Sequence, residues 1–257
     1  LSVSQVDVTK GELATEVYKM FGVDKYMDLF PSPVRSAEKA GEVTAEAAAL
    51  TGLKAGTPVA GGALDVTITM VGVNAINAGD VYAILGTTCC TGVVLDPKKM
   101  NIDTADKNLC TVLHPKEGLN INIIASMAGT PNLDWALENI SETKDFAEIE
   151  KHIKDIPAGC GGVIYHPYIT PAGERNPFYN PNARASFFGL STLTDRWTMI
   201  RAVYEGIAFI IKDCLATRGY DEPGKISIAG GGAKSADQGA GQVDQQGLQR
   251  TEQSIDH

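Results

Sequence analysis

Asp80-Val81-Tyr82-Ala83-Ile84-Leu85-Gly86-Thr87-Thr88-Cys89-Cys90-Thr91-Gly92-Val93-Val94-Leu95 reads as two strands, over residues 80–85 and 91–95, around a Gly-Thr-Thr turn. Such a hairpin can be a plain β-turn, the commoner case. Small hydroxyl residues at its tip can also present backbone amides and Oγ atoms to a phosphate. Working downstream, residues 119–124 read as a strand, 132–140 and 144–153 as helices, and 162–165 as a strand. Residues 195–218 form the clearest helix. Trp197, Ile200, Val203, Tyr204, Ile207, Ile210, Ile211 and Cys214 recur every three or four positions, and Gly219 supplies a stop. A strand at 225–229 then runs into Gly230-Gly231-Gly232. Upstream, the spacing predicts helices over 10–21, 44–50 (opened by Thr44) and 66–78, with a strand over 57–60. Strands alternating with helices place the chain in the α/β class.

The chain has 257 residues and a formal net charge of −9. That balance argues against a general nucleic-acid binder, which needs a basic face. It does not exclude phosphate ligands, because backbone amides bind anions without lysine or arginine. No apolar run reaches the ~18 residues of a membrane span, and the first residues lack a secretory pattern. Five cysteines without a CxxC pair read as reduced thiols, so a cytoplasmic protein is expected. Six of the seven glutamines fall within residues 238–257, and the stretch 236–257 carries no apolar stripe. It reads as a disordered or extraneous tail, with a short polar helix as the alternative.

Three further stretches can carry chemistry. Gly61-Gly62-Ala63-Leu64-Asp65 puts two glycines after a strand and an acid at the start of an apolar helix. Asp65 reads either as a charged group favoured by the helix dipole or as a simple N-cap. Gly230-Gly231-Gly232 after a strand suits close approach of a nucleotide to the backbone, but is neither a Walker loop nor a GxGxxG fingerprint. The proline-rich stretch 165–184 reads as a structured loop or as a spacer between domains. Cys89 and Cys90 point to opposite faces of a strand, so core packing is favoured over a shared metal. The four histidines show no ligand spacing, and no metal ligand is assigned.

Taken together, six stretches resemble the FGGY carbohydrate kinases. They are Pro58 to Asp65, Gly86-Thr87-Thr88, Met127 to Trp135, Gly173 to Arg184 (similar to that family's GERxPFxDPxARG segment), Arg201 to Phe209, and Ile228 to Ser235. Their order and spacing match over about nine-tenths of the chain, residues 1–235. The resemblance implies an α/β, actin/hexokinase-like (ribonuclease H-like) ATPase fold. It implies the C-terminal part of a first, sugar-side domain over residues 1–78 and a truncated second, nucleotide-side domain over 79–235, with 236–257 non-homologous. Family members are about twice as long, so the chain is expected to be a partial kinase with little turnover by itself.

The resemblance further implies ATP-dependent phosphorylation of a sugar or polyol hydroxyl, a ketopentose such as xylulose being favoured. A non-catalytic nucleotide- or sugar-binding module on the same fold is the alternative. In the kinase reading Asp65 is the general base, and Asp65 and Gly62 meet the substrate. Gly86 and Thr87 hold the β- and γ-phosphates of ATP, Gly129 and Asn132 border the ribose or phosphates, and Gly230 and Gly231 lie against the adenosine. Mg2+ accompanies the nucleotide, its protein ligand lying outside this chain. The expected partner is a small sugar substrate, with a homodimer allowed and neither nucleic acid nor membrane involved.

Overall fold

The computed structural model describes residues 6–99, 110–220, 225–232 and 242–244. The chain divides into two compact units. The first comprises residues 1–79, 94–105 and 110–122, the second residues 80–93, 106–109 and 123–257.

The first unit is built from short elements. β1 (Val6–Asp7) pairs antiparallel with β2 (Glu12–Leu13), and α1 follows over Thr15–Met20. The helix expected over 10–21 is therefore only half present. The Asp7 carboxylate accepts from both the amide and the hydroxyl of Thr9, and Gly11 turns back at φ +74°, so the chain folds into a hairpin first. β3 (Lys39–Glu42) pairs antiparallel with β4 (Pro58–Ala60). Between them α2 (Ala45–Thr51) starts as expected at Thr44, whose Oγ accepts from the Ala47 amide at 3.1 Å. α3 (Asp65–Gly72) buries Thr67 and Met70 while Leu64, Ile68 and Val71 stay exposed. It stops six residues short of the predicted end, at Val73 and the left-handed Asn74. In this unit β7 (Cys110–Leu113) ends at His114, whose Nε2 lies 3.1 Å from the Ala75 carbonyl.

The second unit carries the expected hairpin. β5 (Val81–Leu85) and β6 (Cys89–Leu95) pair antiparallel from Val81↔Val93 to Leu85↔Cys89. Gly92 is required there, because a Cβ would fall 1.9 Å from the ring of the buried Tyr82. After β8 (Asn120–Ser126) come α4 (Pro131–Asn139), α5 (Phe146–Ile153), β9 (Ile164–His166), β10 (Ser186–Phe188), α6 (Arg196–Ala216) and β11 (Lys225–Ala229). β9 and β10 form a small antiparallel pair. β11 runs parallel to β5, Ile226↔Val81 to Ala229↔Ile84.

In the second unit the sheet orders as β12-β11-β5-β6-β8, where β12 is Gln242–Asp244 from the glutamine-rich tail, antiparallel to β11. An edge strand offers unpaired backbone groups, so pairing needs no apolar stripe. The expectation of a structureless tail does not hold for these three residues. The other tail residues lie outside the described ones.

Asp195 caps α6 by accepting from the Thr198 amide at 2.8 Å, which holds its carboxyl below the usual carboxylate range. Ile200, Val203 and Ile207 of α6 pack with Leu133 and Leu137 of α4 and Ile149 of α5. Each such side chain is worth about 1.5–3 kcal/mol when removed from water. Gly206 lets α6 lie against β9, since a Cβ there would meet the Tyr165 carbonyl oxygen at 2.6 Å. Among the described residues no helix is long and apolar enough to cross a membrane.

Candidate functional site

In the second unit three backbone segments converge. The first is the tip of the β5–β6 hairpin, where Gly86 donates its amide to the Thr88 carbonyl at 3.0 Å. Thr87 is exposed, and neither its amide nor its hydroxyl is engaged among the described residues. The second segment is the turn from β8 into α4. Gly129 is buried against the hairpin, and a Cβ there would fall 2.4 Å from the Gly86 oxygen and 2.6 Å from the Thr87 carbonyl. The next amide, of Thr130, donates to the Gly86 carbonyl at 2.7 Å. The third segment follows β11. Gly230 adopts φ +95°, and a Cβ there would lie 2.3 Å from the Leu85 oxygen. Gly232 faces Leu85 and Thr130 in the same way, at 2.8 and 3.3 Å. Gly231 is exposed with nothing within 4 Å of its Cβ position. The parallel β11–β5 pairing brings the carboxyl ends of both strands together, the edge at which open α/β sheets bind ligands.

The sequence-predicted residues of this unit thus come together, with different roles. Thr87, Gly230 and Gly231 are exposed, the Gly86 and Gly230 turns each pack closely on neighbouring backbone, and Gly129 is the packing contact that seats the hairpin. Asn132 faces inward. It is fully buried, its Nδ2 donates to the Gly129 carbonyl at 3.0 Å, and its Oδ1 accepts from the Tyr165 hydroxyl at 2.9 Å. Both ends of its amide are occupied within the protein, so it shapes the start of α4 rather than presenting a free group. A glycine-lined cradle with an exposed amide and hydroxyl at its tip fits the polyphosphate of a nucleotide, which such turns bind through N–H groups.

Two buried glutamates underpin this half, and sequence reading did not single them out. Glu174 accepts four hydrogen bonds around the end of β8. Glu205 accepts from Arg201 Nε at 2.9 Å and from the Gly159 amide at 3.0 Å. The clue was their setting, an acid within a Gly-Glu-Arg turn and another in an otherwise apolar helix stripe. The stretch 165–184 lies wholly in this unit and is ordered around Glu174, which exchanges two backbone hydrogen bonds with Asn180 at 2.9 and 2.8 Å. The spacer alternative therefore does not describe it.

Burial pushes the Cys89 thiol up to about 12, as core packing requires, and does the same for Cys214. Among the described residues no three histidine, cysteine, aspartate or glutamate side chains gather as a metal site.

Asp65 belongs to the first unit. The strand β4 leads into Gly61, whose amide donates to the Glu38 carbonyl at 2.9 Å and whose missing side chain would strike the Arg35 oxygen at 2.5 Å. Gly62 then turns with φ +76°. The capping alternative for Asp65 does not hold. The cap position is Leu64, and Asp65 is the first residue of α3, exposed, with Oδ1 accepting from the Val66 amide at 2.7 Å. A carboxylate there is favoured by the helix dipole and remains open to an incoming proton donor.

Residues 81–237 match the C-terminal domain of the FGGY family of carbohydrate kinases, and residues 2–72 match its N-terminal domain. Erythritol kinase of Brucella abortus (strain 2308) is 32% identical over 252 residues, covering 90% of this chain and 47% of that protein. Xylulose kinase of Staphylococcus epidermidis (strain ATCC 12228 / FDA PCI 1200) is 30% identical over 210 residues, covering 81% and 41%. Among solved structures, xylulose kinase from Rhodospirillum rubrum superposes with a TM-score of 0.73 at 27% identity, covering 90% of this chain and 46% of that one. Plasmodium falciparum glycerol kinase with ADP has a TM-score of 0.72 at 19% identity, with the same coverage, a likeness of fold. The fold is accordingly the actin/hexokinase-like ATPase fold. The chain spans about half the length of the curated relatives it matches.

Proposed function

The chain belongs to the FGGY family of carbohydrate kinases, and from that premise we propose that it serves ATP-dependent phosphorylation of a sugar or polyol hydroxyl. The observation that carries the proposal is the convergence of the Gly86-Thr87 tip, Gly129-Thr130 and Gly230 to Gly232 on one edge of a sheet. Residues 1–78 are the sugar-side part in this reading and residues 79–235 the nucleotide-side part. ATP with Mg2+ supplies the transferable phosphoryl group and neutralises its charge. The chain's part is then positioning and proton transfer, the two demands of phosphoryl transfer that a protein meets. The Thr87 amide and hydroxyl donate to phosphate oxygens, with Gly86 as the turn beneath them. Gly230, packed against the Leu85 backbone, shapes the turn on which the adenosine lies, and Gly231 leaves room for it. Asn132 holds the Gly129 turn and so borders the nucleotide indirectly.

Asp65 accepts the proton of the attacking hydroxyl at its carboxylate, and Gly62 leaves space for the substrate beside it. General-base assistance of this kind is worth about 10²–10⁴-fold. For the substrate, a ketopentose such as xylulose is favoured, with polyols such as erythritol and glycerol next. The kinds of relative support this order: xylulose kinases recur among them, and one is named as an erythritol kinase.

The test is coupled ADP release across a panel of ketopentoses and polyols, with Asp65→Asn beside the unaltered protein of the relatives' length. The expected outcome is sugar-dependent turnover that falls about 10²–10⁴-fold in the variant at unchanged nucleotide affinity. Wild-type kcat in Asp65→Asn would remove Asp65 from the base role. A nucleotide-binding protein without turnover on any sugar would favour the non-catalytic module.

A further inference from the structure

We infer that Glu174 is a positioning residue for the phosphate-side hairpin, acting through the turn between β8 and α4, an inference that rests on the nucleotide reading of that hairpin. Glu174 is 1% exposed. Its Oε2 accepts from the Ser126 hydroxyl at 2.7 Å, and its Oε1 accepts from the amides of Met127, Arg175 and Asn176 at 2.8, 2.7 and 3.1 Å. The Ser126 oxygen accepts in turn from the Ala128 amide at 3.0 Å. Arg175 Nε and Asn176 Nδ2 both donate to the Ala125 carbonyl, at 2.9 and 3.1 Å. The tripeptide 174–176 therefore grips the chain from the Ala125 carbonyl to the Ala128 amide.

The residues that follow are the ones touching the hairpin. Gly129 abuts Gly86 and Thr87 with no room for a Cβ, and the Thr130 amide donates to the Gly86 carbonyl. Only Gly129 separates the last gripped amide from that hydrogen bond. Close-packed backbone transmits a displacement because it has no flexible side chain to absorb it. Without the carboxylate, the part-buried Met127 amide and the buried Ser126 hydroxyl lose their acceptor, and the turn must open to find another. A hairpin displaced by ~1 Å can lose up to ~10²-fold in productive positioning of its ligand.

The experiment uses the 257-residue chain, titrated with Mg-ATP in a calorimeter, together with amide exchange over residues 85–90 and 125–132. The control is Glu205→Ala, which removes another buried glutamate of the same unit that also holds a backbone amide, that of Gly159. Glu174→Ala is expected to weaken Mg-ATP binding about tenfold or more and to raise exchange in both segments. Glu205→Ala is expected to lose thermal stability while its Mg-ATP affinity stays within about twofold. Glu174→Gln keeps one acceptor oxygen for the three amides and loses the acceptor for Ser126, so it is expected to fold and to bind about threefold more weakly. It carries the test should the alanine variant not fold.

Unchanged affinity and unchanged exchange in a folded Glu174 variant would overturn the inference. So would an equal loss of affinity in Glu205→Ala, which would mark the effect as general destabilisation. If the unaltered chain bound no Mg-ATP while exchange at 85–90 still rose in the Glu174 variants, the clamp would stand and the nucleotide reading would fall.

Discussion

Replacing Gly129 by alanine perturbs the site at its tightest contact. The added Cβ would sit 2.4 Å from the Gly86 oxygen and 2.6 Å from both the carbon and oxygen of the Thr87 carbonyl, where contacts below 3.0 Å are essentially never seen. All three atoms are backbone, so none can rotate away. The hairpin tip and the α4 turn must separate by about 1 Å to restore ordinary contact. Overpacking of this kind costs about 1–3 kcal/mol. For a chain of this size that corresponds to a Tm lower by about 2–12 °C.

The same 1 Å moves Thr87 relative to the Gly230 turn, so Mg-ATP affinity is expected to fall about 10- to 100-fold. Gly231→Ala is the contrasting variant. Its Cβ meets nothing within 4 Å and its φ is not positive, so Tm should hold while binding weakens wherever adenosine lies against that glycine. Calorimetric titration with thermal melting reads both variants. A Gly129→Ala protein with wild-type Tm and affinity would refute the contact. One with lowered Tm and wild-type affinity would make the contact architectural and detach the hairpin from the nucleotide.

Tyr165→Phe leaves the Asn132 Oδ1 buried without its donor, and should cost about 1–3 kcal/mol in urea unfolding. A change below about 0.5 kcal/mol would show that the Asn132 amide has another partner. Asp195→Ala removes the α6 cap and should cost about 1 kcal/mol at neutral pH. Because the folded carboxyl is depressed below its unfolded value of 3.8, the cap's contribution is present above that pH and fades as pH falls through the folded value. The gap between variant and wild type should therefore close on acidification below 3.8, and a gap constant with pH would contradict the cap.

How far the sequence could be read depended on whether a residue's partners lie nearby in the chain. The β5–β6 hairpin was legible because residues 80–85 and 91–95 are strand formers around a Gly-Thr-Thr turn, although the second strand begins two residues earlier, at Cys89. α6 was legible because its stripe, from Trp197 to Cys214, repeats over about five turns. Thr44 was legible as a cap because its acceptor role is local, three residues from Ala47.

The failures follow the same rule. The apolar spacing of residues 10–21 suggested one helix, but Asp7, Thr9 and Gly11 make a competing local turn, and Met20 and Phe21 end 83% and 76% exposed. Asn132 looked like a ligand-facing group at a helix start, and only the tertiary arrival of Tyr165 turns it inward. Glu174 drew no separate reading within the proline-rich stretch 165–184. Its burial depends on Ser126 and Met127, which lie 48 and 47 residues away. Asp65 fell between these cases. The strand, glycines and acid were visible in order, yet whether it capped α3 or merely opened it was decided by the Leu64 backbone.

In the proposed reading this chain holds nucleotide phosphates on the edge formed by the Gly86-Thr87 tip, the Gly129 turn and the Gly230 turn. The most direct measurement is amide hydrogen exchange of the 257-residue chain with and without Mg-ATP. Protection is expected only in peptides covering residues 85–88, 129–131 and 230–232, with the Thr87 amide changing most. Binding of Mg-ATP with protection elsewhere and none at these three segments would contradict it.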